Sequence, residues 1–445
     1  MLSKLVKFFS ICLVFLFFFF GLATLTQAKG EAFINLVNPV RGGDFWGLEK
    51  QEPLAAVKDQ LKIIQDNHLP ATWLLRFDAL EDMKMKDLFK NLPEDQELGL
   101  FLEVTPSWAN AAEVEYHQEP LWHYANAVFL SGYSPQEREK LIDAAFAKFK
   151  EIFGTYPQSV GAWHLEAQSL ALMKENYGVK AALICADQFQ TDDYQIWGTW
   201  WGVPYYPSRY NTLIPAQSQK NKLNLVIVQW AARDPLRGYG GGLWESTFSL
   251  QANDYLKHGL GVDYFSWLVD LYLFPKQGEF GQIVVGLEND NHWEFVHQEY
   301  EKEVKALLTK DAEFLRLKDF ANWYQKQFPY LSPDHQITGE DFLGSGEQAF
   351  WLMSINGRLG LIEEGGQKKI RDWRLYSERW AEPYLEVANQ NHQLKLSLPG
   401  KIDGVRFPEQ EEILRQKPEE LLKQKGWLPF ETPKVVFVLM AILFL

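Results

Sequence analysis

Ser159-Val-Gly-Ala-Trp-His-Leu-Glu166 is a short apolar run that ends in a histidine and a carboxylate, and its surroundings decide the fold. Gln168–Tyr177 has helical spacing and Gly178 closes it; Ala181–Ala186 is apolar again and leads to Asp187. The unit is strand, helix, strand, with polar groups just past each strand end. The pattern repeats outward in both directions. Phe33–Val37 precedes Asn38-Pro-Val-Arg-Gly-Gly-Asp44, Ala71–Phe77 ends at Asp78, and Leu98–Val104 contains Glu103. Leu223–Ala231 leads to Arg233-Asp234, and Gln282–Leu287 to Glu288-Asn289-Asp290. Helical spacing fills most gaps: Leu54, Val57, Leu61 and Ile64 share one face, and Ser134-Pro135 opens an amphipathic helix that Gly154 stops. Such alternation implies parallel strands joined by crossovers. Seven strands over residues 31–330 predict a closed or nearly closed barrel, with the strand-end polar groups gathered on its C-terminal face.

Beyond about residue 330 the pattern changes to short strand-like runs, among them Ala349–Ile355, Leu359–Glu363, Trp373–Tyr376, Tyr384–Ala388 and Leu394–Leu398, with Asn356-Gly357 as a hairpin signal. The expected fold class is therefore α/β: a distorted (β/α)7 barrel over 31–330, then a small antiparallel β module over 335–405. A charged helical linker is expected over 406–434.

The ends read as membrane-related. Lys4 and Lys7 precede an apolar run from Phe8 to about Leu25, and Thr26-Gln27-Ala28 suits cleavage, so 1–28 reads as a secretory signal, with an uncleaved anchor as the alternative. Residues 435–445 are apolar to the last; of a tail anchor, a buried strand and a membrane span cut short, the last fits best. The expected location is outside the cytoplasm, at the cell envelope or secreted, with membrane contact through these segments.

Composition narrows the chemistry. A net charge of −14 argues against a nucleic-acid partner. With two cysteines, one of them Cys12 in the leader-like run, there is neither a disulfide framework nor a thiolate metal site, and Cys185 reads as core. Gly240-Gly-Gly242 lacks phosphate-loop context, and no Gly-x-Ser-x-Gly or His-Glu-x-x-His appears.

The strand order and its strand-end carboxylates resemble the glycoside hydrolase/deacetylase superfamily over roughly 31–310, on segments such as Ser159–Glu166 and Gln229-Trp-Ala-Ala-Arg-Asp-Pro235. The resemblance implies carbohydrate chemistry. Deacetylases of that group place adjacent aspartates after strand one and paired histidines after strand three. Here those places hold Arg-Gly-Gly-Asp44 and Leu-Glu103-Val-Thr-Pro, and His117 and His123 are six apart. No cofactor is predicted, and a divalent metal enters only with a divergent deacetylase-type site.

The glycosidase side needs two carboxylates across a sugar. Glu166 is expected as nucleophile and Asp234 as acid/base, with Glu103 and Glu288 orienting hydroxyls and His164 as a hydrogen-bond donor. Each has a plainer reading as a helix cap, turn starter or ion-pair partner; Asp78 reads as a cap. The loop Ile196–Arg209 offers Trp197, Trp200, Trp201, Tyr205 and Tyr206 as sugar-stacking groups, with Arg233 and Asp44 beside them; the alternative is a loop pinned by its own aromatics. The chain is thus expected to be an exported carbohydrate-active hydrolase with a glycan partner. The alternatives are a catalytically silent glycan-binding barrel, a metal-dependent polysaccharide deacetylase with a divergent site, and the outer part of a larger membrane protein.

Overall fold

The structure is a computed structural model that describes residues 31–44, 53–191, 194–239, 247–276, 278–289 and 293–414. The leader-like segment, the apolar tail, most of the expected linker, Gly240–Gly242 and Asp290 lie outside the described residues. Among the described residues no helix is long and apolar enough to cross a membrane.

Seven parallel strands build the barrel: β1 (Glu31–Val40), β2 (Ala71–Leu75), β3 (Gln96–Phe101), β4 (Ser159–Gly161), β5 (Ala181–Cys185), β6 (Val226–Trp230) and β7 (Phe280–Val285). Their order is β6-β5-β4-β3-β2-β1-β7, with no ladder between β6 and β7, so the barrel is nearly closed. β1 is the pivot: residues 31–36 pair with β7 and residues 37–40 with β2. β4 is shorter than its apolar run suggests, although backbone bonds to β5 continue from Ala162 N–H to the Leu183 carbonyl and from Cys185 N–H to the Trp163 carbonyl, both at 3.1 Å.

Side-chain parity sorts the two layers. Ile34, Leu36, Trp73, Leu75, Ile184, Ile227 and Ile283 face outward into one large core with the surrounding helices. Phe33, Val37, Leu74, Phe101, Leu183, Val228 and Val284 face inward. Gly99 and Gly161 leave room for Leu74: a Cβ would lie 2.7 Å from Leu74 at Gly99 and 2.6 Å at Gly161. The helix Leu317–Gln327 closes the lower end by adding Leu317, Phe320 and Tyr324 to the inner cluster. Its first turn donates Leu317 N–H to Thr72 and Lys318 N–H to Glu97, at 2.9 and 3.0 Å. That helix end gives the buried Glu97 carboxylate a positive dipole to face.

The C-terminal sheet contains β8 (His335–Glu340), β9 (Gln348–Ser354), β10 (Gly357–Glu364) and β11 (Gln367–Leu375), with Ser354–Gly357 closing the expected hairpin. Leu394–Ser397 does not join it. Instead it pairs in parallel with Tyr194–Trp197 of the β5–β6 connection. Residues 384–388, expected as a strand, are irregular, and three of their carbonyls are taken by one arginine, Arg138.

After β3 a short helix, Pro106–Ala111, is capped by Thr105 and ends as Glu113 turns left-handed at φ 54°. Glu113 is exposed, so its only cost there is steric. Glu113→Gly is expected to raise unfolding free energy by about 0.5 kcal/mol in denaturant titration, since relief of the left-handed strain exceeds the added chain entropy. A loss of stability would show that the glutamate side chain holds the turn.

Candidate functional site

The inward parity of the strands continues past their ends. On β1 it runs from Val37 to Arg41, on β2 from Leu74 to Arg76, on β3 from Phe101 to Glu103, on β4 from Gly161 to Trp163, and on β7 from Val284 to Glu288. These residues meet at the barrel mouth. Arg41 donates from Nε and Nη2 to the two oxygens of Glu103, both at 2.7 Å, and from Nη1 to Glu288. Arg76 donates to Glu103 Oε2 at 3.2 Å and grips both oxygens of Asp78 at 2.8 and 2.7 Å. Asn289 ties β1 to β7 by accepting from Arg41 N–H at 2.8 Å and donating to its carbonyl at 2.9 Å.

Aromatic rings surround the central guanidinium. Arg41 Cζ lies 5.4 Å from the Phe101 and Trp122 ring centres and 5.9 Å from Trp163. Arg41 is buried, whereas Trp122, Trp163 and Tyr116 are half-buried. Glu288 keeps 13% of its side chain exposed. Burial pushes the Asp78 carboxyl up, but the Arg76 guanidinium and the N–H groups of Asp44 and Gly42 outweigh it and hold it below its ordinary range. Asp78 is therefore an ion-pair anchor of the mouth rather than only a cap. Burial also pushes the Tyr116 hydroxyl up to about 12, with Arg76 opposing and Asp44 and Glu119 adding to it. Asp44 is exposed and accepts from Ser107 Oγ at 2.7 Å.

Of the expected catalytic residues, the structure brings Glu103 and Glu288 together and leaves the others elsewhere. Glu166 is fully buried as the N-cap of helix Ala167–Tyr177, accepting from Ser169 N–H at 3.1 Å and lying 3.5 Å from Arg138. Asp234 starts a turn: one oxygen accepts from Leu236 and Arg237 N–H at 2.8 and 3.0 Å, the other from Tyr264 at 3.0 Å. Glu166 is bound through one oxygen to its helix start and Arg138, and Asp234 to the turn it opens and to Tyr264, so both carboxylates expected as nucleophile and acid/base make structural bonds. His164 is buried against Phe129, and burial followed by the nearby Arg138 charge pulls it down to about 3, which leaves a neutral imidazole.

The stacking loop is corrected too. Trp197, Trp200, Trp201, Tyr205 and Tyr206 are at most 1% exposed. Trp201 stacks on Trp351 of the C-terminal sheet at 4.9 Å, and Tyr206 donates to the Phe328 carbonyl at 2.8 Å. The loop is pinned by its own aromatics because the C-terminal sheet covers it. Arg233 is buried as well and donates to the Asp187 carbonyl and the Gln188 side chain at 2.9 and 3.1 Å. Sequence reading missed Arg41, Arg76, Trp122, Trp163 and Tyr116; counting inward parity beyond the strand ends finds Arg41, Arg76 and Trp163.

Among the described residues the donor set at the mouth does not fit a deacetylase metal. Guanidinium groups hold the Glu103 oxygens, and His117 bonds the Asn126 carbonyl at 2.8 Å and stacks on Tyr133. Among the described residues no group of three or more His, Cys, Asp or Glu could hold a metal ion.

A family model for a domain of unknown function with a solved structure (DUF3863) matches residues 105–249. No curated protein matches the chain. A solved structure of a candidate glycoside hydrolase/deacetylase from Parabacteroides distasonis is 18% identical, covers 90% of this chain and 99% of its own, and superposes with a TM-score of 0.68. The chain shares the nearly closed parallel barrel fold of that structure. A candidate polysaccharide deacetylase from Mycobacterium smegmatis is 13% identical over 68% of this chain and 93% of its own, with a TM-score of 0.41.

Proposed function

We propose that the barrel mouth is a glycan-binding site and that it binds without cleaving. The fold and the half-buried Trp122, Trp163 and Tyr116 around the mouth support a sugar ligand, since such rings present flat apolar faces with a wet edge. The observation that carries the second half is the guanidinium lock. Glycoside hydrolysis asks for one carboxyl that delivers a proton and another that attacks or activates water. Both oxygens of Glu103 already accept charge-assisted bonds from Arg41 and Arg76, and Glu288 is bonded to Arg41. Both carboxylates are thus held as counter-ions of guanidinium groups.

A hydrolytic reading keeps one specific support: Glu103 and Glu288, from opposite neighbours of the mouth, meet on one guanidinium. The leader-like segment 1–28 supports export to the envelope, which fractionation of the native host with activity-independent detection tests; a wholly cytoplasmic pool overturns it.

Binding is tested by retention on immobilised envelope and plant glycans. Wild type is expected to be retained on one class, and Trp122→Ala to weaken that retention roughly 3- to 10-fold, the worth of one stacked ring. Equal retention of a folded variant would remove Trp122 from the site.

A further inference from the structure

We propose that Arg41 is a built-in cation of the barrel mouth: it occupies the seat between Glu103 and Glu288 that a divalent ion would otherwise take, and keeps such an ion out. The inference stands on the mouth geometry alone and is read by ion binding, so it can fail while glycan retention holds.

Carboxylates from β3 and β7 converge on one point and need positive charge there, because unpaired anions cannot be sunk into a poorly solvated site. β1 supplies that charge from its own chain. The guanidinium is chelated edge-on by Glu103 at 2.7 Å through two donors and reaches Glu288 with a third. Its backbone is fixed on both sides by Asn289, at 2.8 and 2.9 Å. Phe101 and Trp122, both 5.4 Å away, and Trp163 at 5.9 Å line its faces and leave its edge to the carboxylates. Arg76 holds a second, parallel arrangement, pairing with Asp78 while also reaching Glu103. Asp78 is therefore already neutralised and does not compete for Arg41.

Three features separate this from an ordinary surface ion pair. Arg41 and Glu103 are 3% and 1% exposed. The pairing is bidentate, a geometry that a flexible ammonium does not reproduce. The carboxylates also come from strands on different sides of β1 within the barrel, Glu288 from its neighbour β7 and Glu103 from β3 beyond β2. Removing the Arg41 guanidinium leaves two carboxylates, Glu103 with Arg76 still on its Oε2 at 3.2 Å and Glu288, as hard oxygen donors to Mn²⁺ or Ca²⁺, with waters completing the shell.

The test compares wild type, Arg41→Ala and Arg41→Lys by equilibrium dialysis and thermal melting with MnCl₂ and with CaCl₂. Wild type and Arg41→Lys are expected to bind no stoichiometric ion and to melt at the same temperature with or without it. Arg41→Ala is expected to bind one ion per chain at least about 10-fold more tightly than wild type and to gain several degrees in Tm at saturating ion. Adding Glu288→Gln to Arg41→Ala should abolish that gain. Wild type binding an ion as tightly as Arg41→Ala overturns the proposal, as does a folded Arg41→Ala that binds none. Where Arg41→Ala does not fold in buffer, it is refolded from denaturant: recovery only with ion is the expected result in another form. Failure with and without ion, while Arg41→Lys folds, overturns the proposal.

Discussion

Arg358→Ala is expected to lower unfolding free energy by about 3–5 kcal/mol, the cost of leaving buried charges without their partner. Arg358 is fully buried on β10 and joins the C-terminal sheet to the barrel. It grips Asp372 through Nε and Nη2 at 2.8 and 3.0 Å, donates to the Thr199 carbonyl at 3.0 Å, and reaches Asp187 just past the end of β5. The alternation continues: Arg374 lies 3.0 Å from Asp372 and 2.7 Å from Asp403, and Arg406 lies 2.6 Å from Asp403. Removing Arg358 leaves Asp187 and Asp372 short of positive charge in the same buried space, and Asp187 is the anchor that orders the Gly198-Thr199 turn through their N–H groups at 3.1 and 2.9 Å. Denaturant titration followed by tryptophan fluorescence reads the loss. A change under about 1 kcal/mol would show that the ladder holds no more than a surface pair does.

Glu303→Gln is expected to make the protein more stable at pH 8 by on the order of 3 kcal/mol, with no gain near pH 4. Glu303 is buried beside Glu299, and Tyr255 donates to it at 2.7 Å. Burial pushes its carboxyl up to about 8, the tyrosine bond opposing and the Glu299 charge adding to it. Between the ordinary value of 4.5 and about 8 the native state holds a proton that the unfolded chain has released. Stability is therefore complete below about 4.5 and falls as pH rises to about 8. Gln keeps the shape and cannot ionise, so it removes that slope. Glu382, also raised to about 8, gives the same trend, while His335, buried and lowered to about 4, loses stability as pH falls below 6.5. The difference between variant and wild type across pH 5–9 cancels these background groups. A difference that stays flat with pH would mean that Glu303 is ionised in the native state throughout.

The barrel was legible because each strand announces itself twice, by an apolar run and by the helix that must follow a parallel strand. Glu103 and Glu288 were legible as strand-end carboxylates. Arg41 was not, because an arginine before Gly42-Gly43 looks like a solvated cation in a turn. Only the inward parity inherited from Val37, together with the anions waiting on β3 and β7, makes it a buried one. Glu166 misled for the opposite reason: a carboxylate three residues before Ser169 is also a helix-cap signal, and the local bond won. The aromatic loop 196–209 could not be judged from its own residues, since what covers it, Trp351 and the rest of the C-terminal sheet, comes some 150 residues later. Local sequence shows that such a loop is stiff, but not which surface it stiffens against.

The central claim is that the mouth holds a glycan and leaves it intact. The most direct measurement incubates the protein at high concentration with the glycan that retains it, with and without chelator, and reads released reducing ends and released acetate together. The account predicts retention, neither product, and no effect of chelator. Reducing ends that vanish in Glu288→Gln would contradict it in favour of a glycosidase, and chelator-sensitive acetate would contradict it in favour of a metal-dependent deacetylase.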